Sequence, residues 1–81
     1  MSIAPQDAVA ASIRSLHGTL SVATALVAAG RHVDLSGLDR DVTAVCVAAA
    51  VLPPADGRAL RGELAALLAA VRGLEARFAP P

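Results

Sequence analysis

The sequence predicts an all-α protein, a small three-helix bundle running up, down and up, completed by self-association. Three observations predict it. Large apolar residues recur in steps of four and three in three successive runs, which places each run along one side of a helix. Gly30, Gly37 and the pair Pro53-Pro54 punctuate those runs, and no segment alternates as a strand would. The helices also carry more apolar surface than one three-helix core can use, so part of it needs a cover from outside.

The first run, Val9-Ile13-Leu16-Leu20-Ala23-Val27, predicts a helix over residues 5–29. Pro5 suits a first helical position because its φ is already helical, and Asp7 sits near the positive end of the helix dipole. Gly30 can take the left-handed conformation that ends a helix. The connector Arg31–Gly37 offers two caps for the next helix. Asp34 can begin a short turn, and Ser36 can open the main helix in a capping box with Asp39.

The second run, Leu38-Val42-Val45-Ala49-Leu52, predicts a helix over 37–51, ended by Pro53-Pro54 because proline disfavours helical geometry in the residue before it. The same prolines can open a third helix over 54–78, with Asp56 in its first turn and the run Leu60-Leu64-Leu67-Val71-Leu74-Phe78 along its core side. Gly57, Gly62 and Gly73 each weaken that helix by up to about 1 kcal/mol relative to alanine, so packing has to hold it. Ala79-Pro80-Pro81 is expected to fray. Residues 1–81 are read as one domain, with no internal linker or repeat.

At 81 residues the chain lies near the lower limit for a self-sufficient core, where disulfides, metals or a second copy commonly assist. Cys46 is the only cysteine, which excludes a disulfide framework, and it reads as a small buried hydrophobe. His17 and His32 are the only histidines, so no metal ligand set assembles. The formal net charge is zero, which leaves no basic footprint for nucleic acid. Lysine, asparagine, tyrosine and tryptophan are absent and alanine is abundant, as in the usage of a GC-rich bacterial genome. The longest uncharged, mainly apolar stretch, Val42–Leu52, falls well short of the ~20 residues that cross a bilayer. MSIAPQDAVA lacks a basic start and carries Asp7, so it does not read as a signal peptide, and the cytoplasm is the expected compartment.

Surplus apolar surface is plainest on the second helix, where Ala44, Val47 and Val51 lie opposite the main stripe and no charge intervenes between Asp41 and Leu52. On the first helix a line of small residues, Ala8-Ala11-Ser15-Gly18-Val22-Ala25-Ala29, would let another helix approach closely, with Leu26 beside it. On the third, Leu68 lies among Arg58, Arg61 and Arg72, a combination common at interfaces. Helix lengths agree with an incomplete enclosure. The outer two should reach ~36 Å and the middle one only ~22 Å, leaving the Val9-Ile13 and Val71-Leu74-Phe78 ends uncovered. The candidate interface residues are therefore Ala11, Ser15, Val22, Leu26, Ala44, Val47, Val51, Arg61, Leu68 and Arg72.

No catalytic constellation emerges. The hydroxyls, Cys46 and the two histidines show no nucleophile, base and orienting group in sequence, and Arg14 with His17 lies on a polar flank. Glu63 and Glu75 are too far apart for a carboxylate pair, and no glycine-rich loop follows a strand. The leading expectation is a non-enzymatic, cofactor-free interaction module: a small helical adaptor, chaperone or assembly subunit that forms a homodimer or binds a helix of another protein, without membrane or nucleic acid.

Two alternatives accompany it. The stretch Asp34-Leu35-Ser36-Gly37-Leu38-Asp39 resembles the Asp-Ser-Leu motif of acyl carrier proteins, small helical bundles with a modified serine at a helix start. The resemblance implies phosphopantetheine attachment at Ser36. Leu35 separates Asp34 from Ser36, Gly37 stands where that family has leucine, and the family's acidity and long first loop are missing. The other alternative is a bundle that holds a small apolar ligand among its leucines and valines, although aromatic residues, usual in such pockets, are nearly absent.

Overall fold

Every described element of the chain is helical. The computed structural model describes residues 4–78 and shows four helices: α1 (Pro5–Ala28), α2 (Leu38–Ala50), α3 (Pro54–Ala59) and α4 (Arg61–Phe78), with no strand among the described residues. Ala79-Pro80-Pro81, expected to fray, lies outside them.

Helix α1 begins at Pro5 and closes in a Schellman arrangement. Gly30 adopts φ +78°, its N–H donates to Val27 O at 3.0 Å, and the Arg31 N–H donates to Leu26 O at 2.9 Å. The expected capping box at Ser36 is absent. Asp34 Oδ1 instead accepts both the Ser36 N–H, at 2.9 Å, and the Ser36 hydroxyl. With its side chain turned back to Asp34, Ser36 caps nothing. Gly37 precedes α2 in the left-handed region, φ +84°, and α2 starts at Leu38.

The expected single helix over 54–78 is broken at Leu60. The Leu60 N–H reaches back only to Gly57 O, at 3.2 Å, and regular bonding resumes with Leu64 N–H to Leu60 O at 2.9 Å. Two weak helix formers, Gly57 and Gly62, flank the break. The bend sends Leu60 into the core, 4% exposed, and lets α3 draw close to α2, where a Cβ on Gly57 would lie 3.7 Å from Ala49 O.

Helix α1 packs against both α2 and α4, whereas α2 and α4 scarcely meet. Directions follow from the neighbours. Ala8 and Ser12 share a groove with Ala44 and Ala48, while Ser15 and Thr19 meet Leu38 and Asp41, so α2 runs against α1. Arg14 pairs with Glu63, and Thr24 lies with Gly73 and Arg77, so α4 runs with α1.

The core between them is wholly apolar. Ile13, Leu20, Leu67 and Leu74 are its fully buried centre, and Val9, Ala10, Ala23, Val45, Ala49, Leu60 and Val71 surround them. Burying each large side chain contributes about 1.5–3 kcal/mol. The Val9-Ile13 end, expected to be uncovered, is buried, as are Val71 and Leu74. Helix α2 flanks Val9 through Ala44, Val45 and Ala48, and the bend at Leu60 turns Leu60 into the same core; in the register set by Arg14 and Glu63, Leu60 falls level with Ala11. Phe78 does stay exposed, because the same register carries it past Ala28, where α1 ends.

Two outcomes test this packing. Leu67→Ala should lower the unfolding free energy by about 2–5 kcal/mol in urea titration, a large share of what a domain this size possesses. Exchanging glycine for alanine should act with opposite signs at two sites where no atom obstructs the new Cβ. Gly73→Ala, inside α4, should stabilise by up to about 1 kcal/mol, and Gly30→Ala, at φ +78°, should destabilise by a comparable amount.

Candidate interaction surface

Among the described residues, four of the five exposed large apolar side chains lie on α1, on α2 or at the residue that caps α2, and α1 begins the pattern. Residues that face α2 or α4 use up about half of its circumference. The opposite half presents Ala11, Ser15, Gly18, Val22 and Leu26, all exposed, with Val22 at 61% and Leu26 at 40%. On α2 and its C-cap the residues opposite the buried line are Ala44, Val47 and Val51, and they are exposed too, the two valines at 58% and 78%.

Two depressions run along this surface. At the N-terminal end of α1, Ala8, Val9 and Ser12 face Ala44, Val45 and Ala48 across a groove of about 270 Å³ lined by small side chains. Toward its C-terminal end, Gly18, Thr19, Val22, Ala23 and Leu26 form a shallow trough of about 590 Å³ with Val33 of the connector. The trough contains no ionisable residue, and neither does the groove.

The hydroxyls here are occupied within the helix. Ser12 Oγ donates to Ala8 O and Thr19 Oγ1 to Ser15 O, each at 3.1 Å. Removing water from either depression therefore leaves neither hydroxyl without a hydrogen bond, the usual cost of drying a polar surface.

The arginine patch expected around Leu68 takes a different form. Leu68 is half-buried, with Arg61 exposed two turns before it and Arg72 exposed one turn after it. Arg58 no longer shares their line, because it belongs to α3 on the other side of the break at Leu60. Cys46 is half-buried and free. Arg14 does not merely occupy a polar flank: its guanidinium donates to Glu63 Oε1 at 3.1 Å, joining α1 to α4, while Glu63 Oε2 is enclosed without a hydrogen bond. This pair is largely exposed, so it contributes at most about 1 kcal/mol and serves mainly to mark register.

Sequence reasoning did not find Val33 or the Arg14–Glu63 pair. Val33 stands in an aperiodic connector, and residues 49 apart have no local spacing to connect them.

Ser36 is exposed in the connector, with its hydroxyl bound to Asp34. A third depression, about 430 Å³ between α1 and α4, is lined by Leu20, Ser21, Thr24, Ala70, Gly73, Leu74 and Arg77. Its two hydroxyls donate to His17 O and Leu20 O. Among the described residues no three His, Cys, Asp or Glu side chains gather as metal ligands, and no helix is long and apolar enough to cross a membrane. Compared with protein-family models, curated proteins and solved structures, the chain matches none.

The connector has a measurable electrostatic signature. The hydrogen bond from the Ser36 hydroxyl, followed by that from the Ser36 N–H, holds the Asp34 carboxyl below its ordinary pKa. Because the folded value is the depressed one, the stabilisation is present above the ordinary carboxylate pKa. It is lost as pH falls through the folded value. NMR titration should find the Asp34 midpoint below that of a free aspartate, and Ser36→Ala should raise it.

Proposed function

We propose that this chain is a non-enzymatic protein–protein interaction module, a small helical adaptor, chaperone or assembly subunit. Its helices form an up-down-up three-helix bundle that a partner completes, either a second copy or a helix of another protein. The observation that carries this reading is the exposure of Val22, Leu26, Val47 and Val51, the first two lining an uncharged trough on α1.

Surface area supports it. The chain exposes 5602 Å², whereas a folded monomer of 8.1 kDa is expected to expose about 4,500 Å². Its radius of gyration, 14.0 Å, likewise exceeds the ~12 Å of a compact domain of this length. The proposed compartment is the cytoplasm, where the free, half-buried Cys46 would stay reduced.

Replacing Val47 and Val51 together by arginine tests the reading. Both side chains already face water, so the variant should keep its helical circular dichroism and change its urea midpoint little. Light scattering should show the parent associating, by itself or with a protein that co-purifies, and the Val47→Arg/Val51→Arg chain monomeric and alone. A parent that is well folded, strictly monomeric and free of any partner would overturn the proposal.

A further inference from the structure

We infer that residues 38–59, helix α2 with α3, form a hinged strap that opens from a persistent α1–α4 pair and uncovers the apolar seam beneath it. A chain with no partner at all can open in this way, so the motion is separate from the interaction-module reading.

The strap is lightly anchored. It spans two of the four helices, yet only Val45 and Ala49 of α2 are buried, and α3 buries nothing. Its larger inward side chains, Leu38 and Val42, are half-buried. Helix α4 buries Leu67, Val71 and Leu74, and water scarcely reaches the two leucines. Leu60, just ahead of α4, is buried as well. The free energy of a local opening follows the apolar surface that opening exposes, so the strap is held less firmly than α4.

Polar ties are divided in the same way. Across the seam, Ala8, Ser12, Ser15 and Thr19 of α1 lie near Ala44, Ala48 and Asp41 of α2. Ser12 and Thr19 donate their hydroxyl protons to carbonyls of α1 itself. Among the described residues no side-chain hydrogen bond or ion pair joins α1 to α2, whereas Arg14 and Glu63 join α1 to α4.

Hinges bound the segment at both ends. Before it, Gly37 stands at φ +84°, a conformation that glycine enters and leaves without the penalty other residues meet. After it, the helix breaks at Leu60, whose N–H reaches only Gly57 O. Hinge motions concentrate at such terminal positions, where a few dihedrals absorb the displacement. Because α2 scarcely touches α4, the strap can leave without parting α4 from α1. Release bares Val9 and Leu16 on α1 and Val45 and Ala49 on the strap, a second apolar surface that the closed form hides.

Native-state hydrogen exchange of the full chain, followed by NMR at rising urea below the unfolding transition, tests the strap. Amides of residues 45–49 should share one protection factor, at least tenfold below those of Ile13, Leu67 and Val71. Their urea dependence should also be shallower, since a partial opening exposes less surface. Leu74→Val separates the two openings. Losing one buried methylene weakens the α1–α4 pair in the closed and opened forms alike, so exchange at Ile13 and Leu67 should quicken about fourfold while α2 keeps its rate.

Equal protection and equal urea slopes in α2 and α4 would show that the molecule opens only as a whole and overturn the inference. A quickening of α2 in step with α4 in the Leu74→Val chain has the same meaning. Amides of residues 45–49 that differ widely among themselves would indicate a fraying end and no strap.

Discussion

Helix α1 must satisfy two neighbours at once, and the rest of the molecule depends on that constraint. Its buried line broadens from Val9, Leu16 and Ala23 on the α2 side to Ala10, His17 and Thr24 on the α4 side. Because α2 and α4 scarcely touch, neither can be held except through α1 and the core it shares with them. Ile13 and Leu20, almost wholly excluded from water, are the residues of α1 at the centre of that core. Two flanking helices enclose only part of a cylinder, so about half of α1 is left without a neighbour. The exposed surface of α1 is thus a consequence of the same packing that buries its other side.

The periodicity of apolar residues made the helical class legible, together with the sides of α1 and α2 that are buried and those that are not. Val22, Leu26, Val47 and Val51 stand where four-three spacing puts them, since a wheel of 100° per residue is enforced by backbone hydrogen bonding alone. What periodicity could not convey was competition among local hydrogen bonds. Ser36 had a suitable position for capping α2, but Asp34 lies two residues away and takes both its N–H and its hydroxyl. An aspartate that bonds its own downstream backbone is a common rival to a helix cap.

The break at Leu60 was illegible for a related reason. The apolar run begins at Leu60 itself and Pro53-Pro54 supplies a helix start just before it, so the pattern reads as one helix. The glycines at 57 and 62 lower the resistance to bending, and burial of Leu60 and the approach of α3 to Ala49 supply the gain. Both are tertiary effects. Leu60 thereby joins the core cluster that also contains Val9 and Ile13, an end that lengths counted from a straight helix left open. The Arg14–Glu63 pair and the contribution of Val33 to the trough belong to the same category, because each depends on where distant segments come to lie.

Helix α3 has no buried residue of its own. Its six residues are anchored at one end by the buried Leu60 and in the middle by the close passage of Gly57 across the end of α2. Such a segment detaches at a small fraction of the free energy needed to disrupt Leu67 or Leu74. Thermal agitation therefore frees this stretch first, while α1 and α4 stay zipped together. The protein carries a loosely latched flap beside an otherwise persistent pair of rods.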